Sequence, residues 1–513
     1  MPDGLAALLS ALWHFATPWT LWNVLWSTLL GIVVGMLPGL TATLGVALLT
    51  TLTLKFPPDQ AILTLICMYV GAIYGGSRSA ILLNIPGTPA NAATSLDGFP
   101  LARAGRAGEA MAIATIGSFC GSLVGMVMLA ILAPVLADFA LAFGSWEYFW
   151  LAVFGIVVCG RLTALDDPLK GWLAGLLGLL VAMVGQEGIH GYQRFTYGIT
   201  EISGGFGLLP VLVGAFGLAE LLQVVKQPVY EVVRDAGRRI LPRLREVFRY
   251  WRTILRSGLI GTFMGVLPGV GEDIGAWASY AAARRASRER ERFGKGSVEG
   301  LLAAETGNNA AVPGAIVPVL TLAVPGSAPA AVLLAAMYVH GLRPGPLITV
   351  EFPGFIEQVV AMILLATCAM LVLGLLLIRP LLFVLAVPRE YLVPVVFVLC
   401  TIGSFAIAER LFDIWTMVGF GILGFVLREM RFPMAPLVLG LVLGDILDKN
   451  FRRAMVLGAG SIEPFFTRPI SALLAALTIL TLLAGLPWVR RGLARLAGRL
   501  GGAALRAVRK EVR

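Results

Sequence analysis

Residues 31–45 read GIVVGMLPGLTATLG, and residues 261–275 read GTFMGVLPGVGEDIG. Gly31, Gly35, Leu37, Pro38, Gly39 and Gly45 return at an offset of 230 as Gly261, Gly265, Leu267, Pro268, Gly269 and Gly275. Each copy is followed by a second Pro-Gly site, NIPGT at 84–88 and AVPGS at 323–327, offset by 239. All four sites lie inside apolar stretches where a helix should be continuous. Proline removes a backbone donor and glycine loosens the turn, so each site is expected to interrupt a membrane helix. Such an interruption is tolerated in hydrocarbon only where it is buried in protein or lines a polar cavity. Duplicated broken helices point to the binding site of a secondary transporter.

Composition agrees with a membrane chain. Of 513 residues, 58% are hydrophobic and 14% charged, against roughly 25% charged in a soluble protein. Besides the four interrupted segments, apolar spans centre on 109–136, 147–160, 170–186, 207–225, 354–378, 391–408, 414–428, 434–447 and 470–487. The expected fold is an all-α polytopic membrane protein with about 10–14 membrane segments, at a length near 20 residues each. The first residues, MPDGLAALLSALWHF, lack the basic region of a cleavable signal peptide. The net charge of +10 does not indicate nucleic acid, because 15 of the 40 Lys and Arg lie between 225 and 300 and eight in the last 29 residues. These runs flank apolar spans and act as cytoplasmic anchors against the lipid bilayer. The five cysteines lie in apolar segments without metal or redox spacing and are expected to be small core residues.

The same charges set an expected topology. With the basic loop 226–256 inside, 207–225 leads out to a near-neutral loop, and 170–186, 147–160 and 109–136 alternate back to Arg103 and Arg106. Segment 257–283 has basic residues on both sides, so it is expected to be a re-entrant hairpin or a tight pair of spans with its tip at 267–269. The second copy then begins inside and the first outside, which makes an inverted repeat with an external N-terminus. Lys449, Arg452 and Arg453 fall on the wrong side of this scheme, offset by Asp445, Asp448 and Glu463. The expected divisions are 1–225, a basic loop 226–256, a second half 257–378, C-terminal spans 379–489 and a basic tail 490–513.

Polar residues gather at the breaks. Of six asparagines, Asn84, Asn91, Asn308 and Asn309 flank the second break of each half. Ser77, Arg78, Asn84, Gly87 and Thr88 in the first half, with Asn308, Asn309, Gly326 and Ser327 in the second, are the candidate substrate ligands. Gly39, Thr41, Gly269, Asp273 and Glu305 are the candidate ligands for a coupling cation, Na⁺ or H⁺. Broken helices expose N–H groups that can hold a carboxylate and carbonyls that can hold Na⁺. Each residue has a plainer reading: Gly, Ser and Asn pack helices closely, Asp273 and Glu305 cap or begin half-helices, and Arg78 snorkels or pairs with Asp97. His14, His190 and His340 are scattered and suggest nothing. No nucleotide-binding loop, HExxH or GxSxG triad is present, which argues against an enzyme or an ATP-driven pump.

The chain resembles the large membrane subunit of tripartite tricarboxylate transporters, the TctA-type permeases. The resemblance rests on GMLPGLTATLG (35–45), YGGSRSAILLNIPGTP (74–89), DGFPLARAGRAGEA (97–110) and GVLPGVGEDIGAWASY (265–280). It continues through FGKGSVEGLLAAETGNNAAVPGAIVPVLTLAVPGS (293–327), HGLRPGPL (340–347), GFGILGFVLREMRFPMAPLVLGLVLGDILD (419–448) and FFTRPIS (465–471). Arg78 and the ETGNNA stretch at 305–310 depart from the family pattern. The resemblance implies uptake of a small carboxylate across a bacterial inner membrane, driven by a Na⁺ or H⁺ gradient. It also implies two partners, a periplasmic solute-binding protein and a small multi-span membrane subunit. A standalone carrier or passive anion channel on the same scaffold is the alternative.

Overall fold

The computed structural model describes residues 2–37, 40–164, 167–226, 242, 244–380, 389–486 and 489. Of the expected divisions, the tail 490–513 and most of the loop 226–256 lie outside these residues, as does Gly39. The described end of that loop is already helical, with a helix beginning at Trp251. The fold is all-α. Among the described residues, six helices are long and apolar enough to cross a membrane, and several shorter apolar helices accompany them. Segment 147–160, short in sequence, belongs to one of the six, Ser145–Thr163.

The two copies fold element for element. In the first half, α2 (Pro18–Met36) precedes the break at Leu37–Leu40, and α3 (Ala42–Leu52) follows it. Helix α4 (Pro58–Leu83) then runs to the second break, beyond which lie a 3-10 turn (Pro89–Asn91) and α5 (Ala92–Leu101). In the second half, α12 (Trp251–Val266), α13 (Gly271–Ala286), α14 (Val298–Leu322) and α15 (Ala328–Val339) take the same order. The caps repeat too. Helix α4 ends on Asn84 at φ 58°, ψ 27°, and α14 ends on Ala323 at φ 55°, ψ 29°, both left-handed. Asparagine tolerates that conformation; alanine is held there by its N–H bonds to the Pro318 and Val319 carbonyls.

Helices α4 and α14 form the centre. Every residue from Gln60 to Leu83, and from Glu299 to Leu322, is buried. Helix α2 packs on α4 and α12 on α14, while α6 (Ala107–Ala140) of the first half covers α14 and α17 (Phe355–Leu376) of the second covers α4. The glycines of the repeat make these approaches possible. A methyl on Gly35 would fall inside 3 Å of the Ala72 carbonyl oxygen, and one on Gly265 inside 3 Å of the Ala311 carbonyl oxygen. The second breaks dock on the same two residues, Gly87 against the Gly35 carbonyl and Gly326 against the Gly265 carbonyl.

The hairpin expected over 257–283 is present. Helix α13 folds back along α12, with Ser279 Oγ donating to the Ser257 carbonyl at 3.2 Å and Gly275 lying against Gly261. The remaining helices are α1 (Pro2–Phe15), α7 (Ser145–Thr163), α8 (Pro168–Ala182), α9 (Leu208–Leu212) continued through a π turn into α10 (Ala219–Lys226), the short α11 (Leu244–Phe248) and α16 (Ile348–Glu351), α18 (Arg389–Ala406), α19 (Leu411–Glu429), α20 (Met434–Leu457), α21 (Pro464–Thr467) and α22 (Pro469–Gly485). Lys449 and Arg452, expected on a loop, lie on the extension of α20, paired with Asp445 (2.7 Å) and with Asp448 (3.1 Å) and Glu187 (3.4 Å). Cys67, Cys159 and Cys400 are buried as expected, whereas Cys368 is exposed on the outer surface of α17.

Gly35→Ala and Gly265→Ala are each expected to lower stability by about 1–3 kcal/mol through overpacking. Gly419→Ala, on α19 with open space around it, is expected to be neutral or stabilising by about 0.5–1 kcal/mol. Thermal unfolding of the detergent-solubilised protein checks this; indistinguishable Tm values for the three variants would contradict the glycine-mediated packing.

Candidate functional site

All four breaks open onto one cavity of about 510 Å³. The first half contributes Thr41–Thr43 and Ile85–Pro89, and the second Gly269, Val270, Glu272, Asp273 and Ser327–Pro329. Five helical segments begin at its wall: α3, the Pro89–Asn91 turn leading into α5, α13, α15 and α20. Each presents amide N–H groups and the positive end of its dipole, which suits an anion. Thr41 Oγ1 caps α3 by accepting from Leu44 N at 3.3 Å, and Ser327 Oγ caps α15 by accepting from Ala330 N at 3.4 Å. Gly269, at φ 69°, donates its N–H to the Pro325 carbonyl at 3.3 Å, which ties the two breaks of the second half together.

The acidic wall is built from α13. Glu272 is buried and accepts from the hydroxyls of Tyr69 and Ser327, the latter at 3.1 Å. Tyr69 Oη and Ser327 Oγ are themselves 2.7 Å apart. Tyr69 thus reaches from α4 of the first half into the breaks of the second. Asp273 is exposed to the cavity beside Glu272. A further part of the wall comes from α10 and α19 and carries Glu220, Gln223 and Arg428.

The cavity therefore gathers Gly87, Thr88, Ser327, Thr41, Gly269 and Asp273 of the residues expected from sequence. Gly326 does not line it and serves the contact with Gly265. Asn84 is exposed and acts as the left-handed cap of α4. Arg78 is fully enclosed among α4, α6 and α17, donating to Tyr74 Oη and to the Gly374 carbonyl at 2.5 Å. It joins the two halves, and it does not pair with Asp97. That carboxylate instead accepts from the amides of Gly294, Gly296 and Ser297 at 2.7–2.9 Å and from Tyr280 Oη.

Glu305, Asn308 and Asn309 form a second, wholly buried polar group on α14. Glu305 accepts from Thr94 Oγ1 and from Ser118 Oγ at 2.8 Å, and Asn309 Nδ2 donates to Ser118 Oγ at 2.9 Å. Ser77 Oγ donates to the Tyr74 carbonyl. Both amide atoms of Asn308 lack a partner among the described residues. At the 239-residue offset Asn308 corresponds to Tyr69, and α14 packs against the Pro89–Asn91 turn as α4 packs against α15.

Sequence reasoning missed Tyr69, Glu220, Gln223, Arg428 and the start of α20. Two signals were present: Tyr69 and Asn308 each stand 15 residues before a left-handed cap, and Arg428 is a charge ending an apolar helix of membrane-spanning length.

Comparison with known proteins identifies a family. The model of the tripartite tricarboxylate transporter TctA family matches residues 21–439. An uncharacterized 52.8 kDa protein in the TAR-I ttuC′ 3′ region of Agrobacterium vitis is 37% identical over 459 residues, covering 88% of this chain and 91% of that protein. A second A. vitis protein, in the TAR-II ttuC′ 3′ region, is 34% identical over 231 residues, 45% of this chain and 96% of its own length. No solved structure gives a significant match. The chain belongs to the tripartite tricarboxylate transporter TctA family.

Proposed function

We propose that this chain is the large membrane subunit of a binding-protein-dependent secondary transporter that takes up small carboxylates across a bacterial inner membrane. Its partners in this reading are a periplasmic solute-binding protein and a small multi-span subunit, and a Na⁺ or H⁺ gradient drives uptake. The observation that carries the reading is the convergence of both duplicated breaks on a single cavity. Carboxylate oxygens would accept from the free N–H groups of the half-helices and from the hydroxyls of Thr41, Thr88 and Ser327. Glu272 and Asp273 would hold the coupling cation, as Na⁺ or as protons. Asn308 is offered as a ligand through its unpartnered amide, and Glu305 as a buried acid at which a proton or cation could be exchanged.

Electrostatics favours coupling over passive flow. The cavity wall carries three carboxylates, Glu220, Glu272 and Asp273, and one guanidinium, Arg428, which is already paired with Glu220. A dicarboxylate or tricarboxylate entering this excess of negative charge needs compensating cations in the same poorly screened space. Cation and substrate then raise each other's affinity, and the linkage is reciprocal. The inverted orientation of the two halves belongs to the same proposal. It is supported by the charge walk and by the crosswise packing of α6 on α14 and α17 on α4. Such repeats allow one half to rock against the other around a fixed site.

Uptake of labelled carboxylates by vesicles carrying the whole complex should require both added binding protein and a Na⁺ or H⁺ gradient. Asp273→Asn should weaken the dependence on that cation together with the apparent affinity for substrate. Wild-type uptake indifferent to both gradients would instead identify a channel.

Asn308→Ala should leave folding stability unchanged or raise it by about 1 kcal/mol, because an unpartnered buried amide is removed. Transport should fall at least about tenfold, equivalent to losing roughly 1.4 kcal/mol of ligand interaction. A variant that loses stability and keeps transport would assign Asn308 to packing.

Topology is testable with single cysteines at Ser10 and Glu291, both exposed, in a background lacking the native cysteines. Impermeant reagent applied outside should label position 10 alone. Labelling of both positions from one side would rule out the inverted orientation.

A further inference from the structure

We propose that Arg428 anchors one carboxylate of the substrate, and that Glu220 is its internal counter-ion, displaced as the substrate binds. The proposal rests on the transport reading above and names the residue that recognises the acid. Arg428 is the one cationic side chain among the residues lining the cavity. It sits in the last turn of α19, and its Nη1 is paired with Glu220 Oε2 on α10. The pair is largely enclosed, with side chains 18% and 16% exposed. The guanidinium lies 6.0 Å from the Phe216 ring centroid, and its Nε is buried without a partner among the described residues.

A guanidinium offers five donors in a planar fork that fits a carboxylate through two parallel hydrogen bonds. Glu220 engages Arg428 through Nη1, while Nε stays unpartnered. That donor is enclosed as well as unpartnered, so a substrate carboxylate would reach the fork as Glu220 moves away from it. Binding there exchanges one carboxylate for another and leaves the guanidinium compensated throughout. Glu220, once released, adds a negative charge to the wall that already carries Glu272 and Asp273. The substrate therefore binds most tightly when a cation or proton joins it.

A purely structural role for the pair is a weaker explanation. Helices α10 and α19 are already joined by Lys226 and Glu429 at 3.2 Å, an exposed ion pair that does not line the cavity. Tying these helices does not require a second pair placed in the cavity wall. Arg78, which is wholly buried, also keeps an unpartnered Nε among the described residues, but it donates to Tyr74 and Gly374 and does not line the cavity.

The test uses the whole complex in right-side-out vesicles, offered labelled succinate, malate and citrate in turn. For whichever acid the wild type takes up, Arg428→Gln should raise the half-saturating concentration at least about tenfold, the loss of one charge-assisted interaction. Arg428→Lys, a point charge without the fork, should fall between the two. Glu220→Gln should lower the half-saturating concentration, because the internal competitor is gone. The double variant Arg428→Gln/Glu220→Gln leaves no buried charge unpaired, so it separates recognition from folding; it should stay as impaired as Arg428→Gln. Recovery of wild-type uptake in the double variant would show the pair to be structural and overturn the proposal, as would an unchanged half-saturation in Arg428→Gln. Absence of wild-type uptake of all three acids would instead sink the transport reading, and the anchor with it.

Discussion

Backbone N–H and C=O groups freed at a helix break cannot face hydrocarbon, because each unsatisfied group costs several kcal/mol there. That constraint organises the molecule. Four breaks in two central hairpin-like units have one shared solution: they are brought to a single polar cavity and bonded to one another where they do not face it. The Gly269 amide on the Pro325 carbonyl is one such closure, and the hydroxyl caps of Thr41 and Ser327 are others. Everything outside this centre covers it. The 26 residues of α4 and the 25 of α14 are almost wholly enclosed, and the peripheral helices present their apolar faces outward.

The cavity can form because the breaks approach the first helices of their own halves without side chains between them. Gly87 sits on the Gly35 carbonyl and Gly326 on the Gly265 carbonyl. A methyl on Gly87 or Gly326 would push the second break away from the first helix of its half, and one on Gly35 or Gly265 would push that helix off α4 or α14. The repeated glycines therefore set the site's dimensions, although only Gly87 of the four lines it. The sites of charge are then distributed unequally over a nearly symmetric frame. Tyr69 bridges to Glu272 and Ser327 in one half, while its counterpart Asn308 stands without a partner in the other. The symmetric frame gives the cavity its position, and the asymmetric substitutions give it chemistry.

Much of this frame was legible in sequence because the repeat is carried by residue types that have few alternative uses. Every expected apolar span corresponds to a helix, and the hairpin at 257–283 was implied by charge alone. The Pro-Gly signal was less reliable by itself. Val312-Pro313-Gly314 has the same residues as the break at 324–326, yet α14 runs straight through it. There the glycine admits the Thr262 backbone of α12, and no left-handed residue or hydroxyl cap stands nearby to stop the helix. A Pro-Gly pair alone therefore does not end a helix. Polar residues near a break were likewise an incomplete guide: Asn84 is spent on its own backbone, and Arg78 on the carbonyl of Gly374. Which side of a helix a residue faces depends on neighbours hundreds of positions away, and one sequence does not contain that information.

The part of the cavity wall from α10 and α19 lay beyond that limit. Arg428 and Glu220 belong to helices outside the repeat, so no duplication marks them, yet they complete the cavity built by the repeat. A scaffold of paired broken helices supplies N–H groups to any anion of suitable size, since amides and hydroxyls do not distinguish one carboxylate from another. Discrimination among acids requires a charged group at a fixed distance from those amides, and an element outside the repeat can vary without disturbing the glycine contacts that hold the centre together. Helices α10 and α19 are in that position. In the transport reading proposed above, their separation from the repeat would let substrate choice change while the proposed cation ligands Glu272 and Asp273 stay in place.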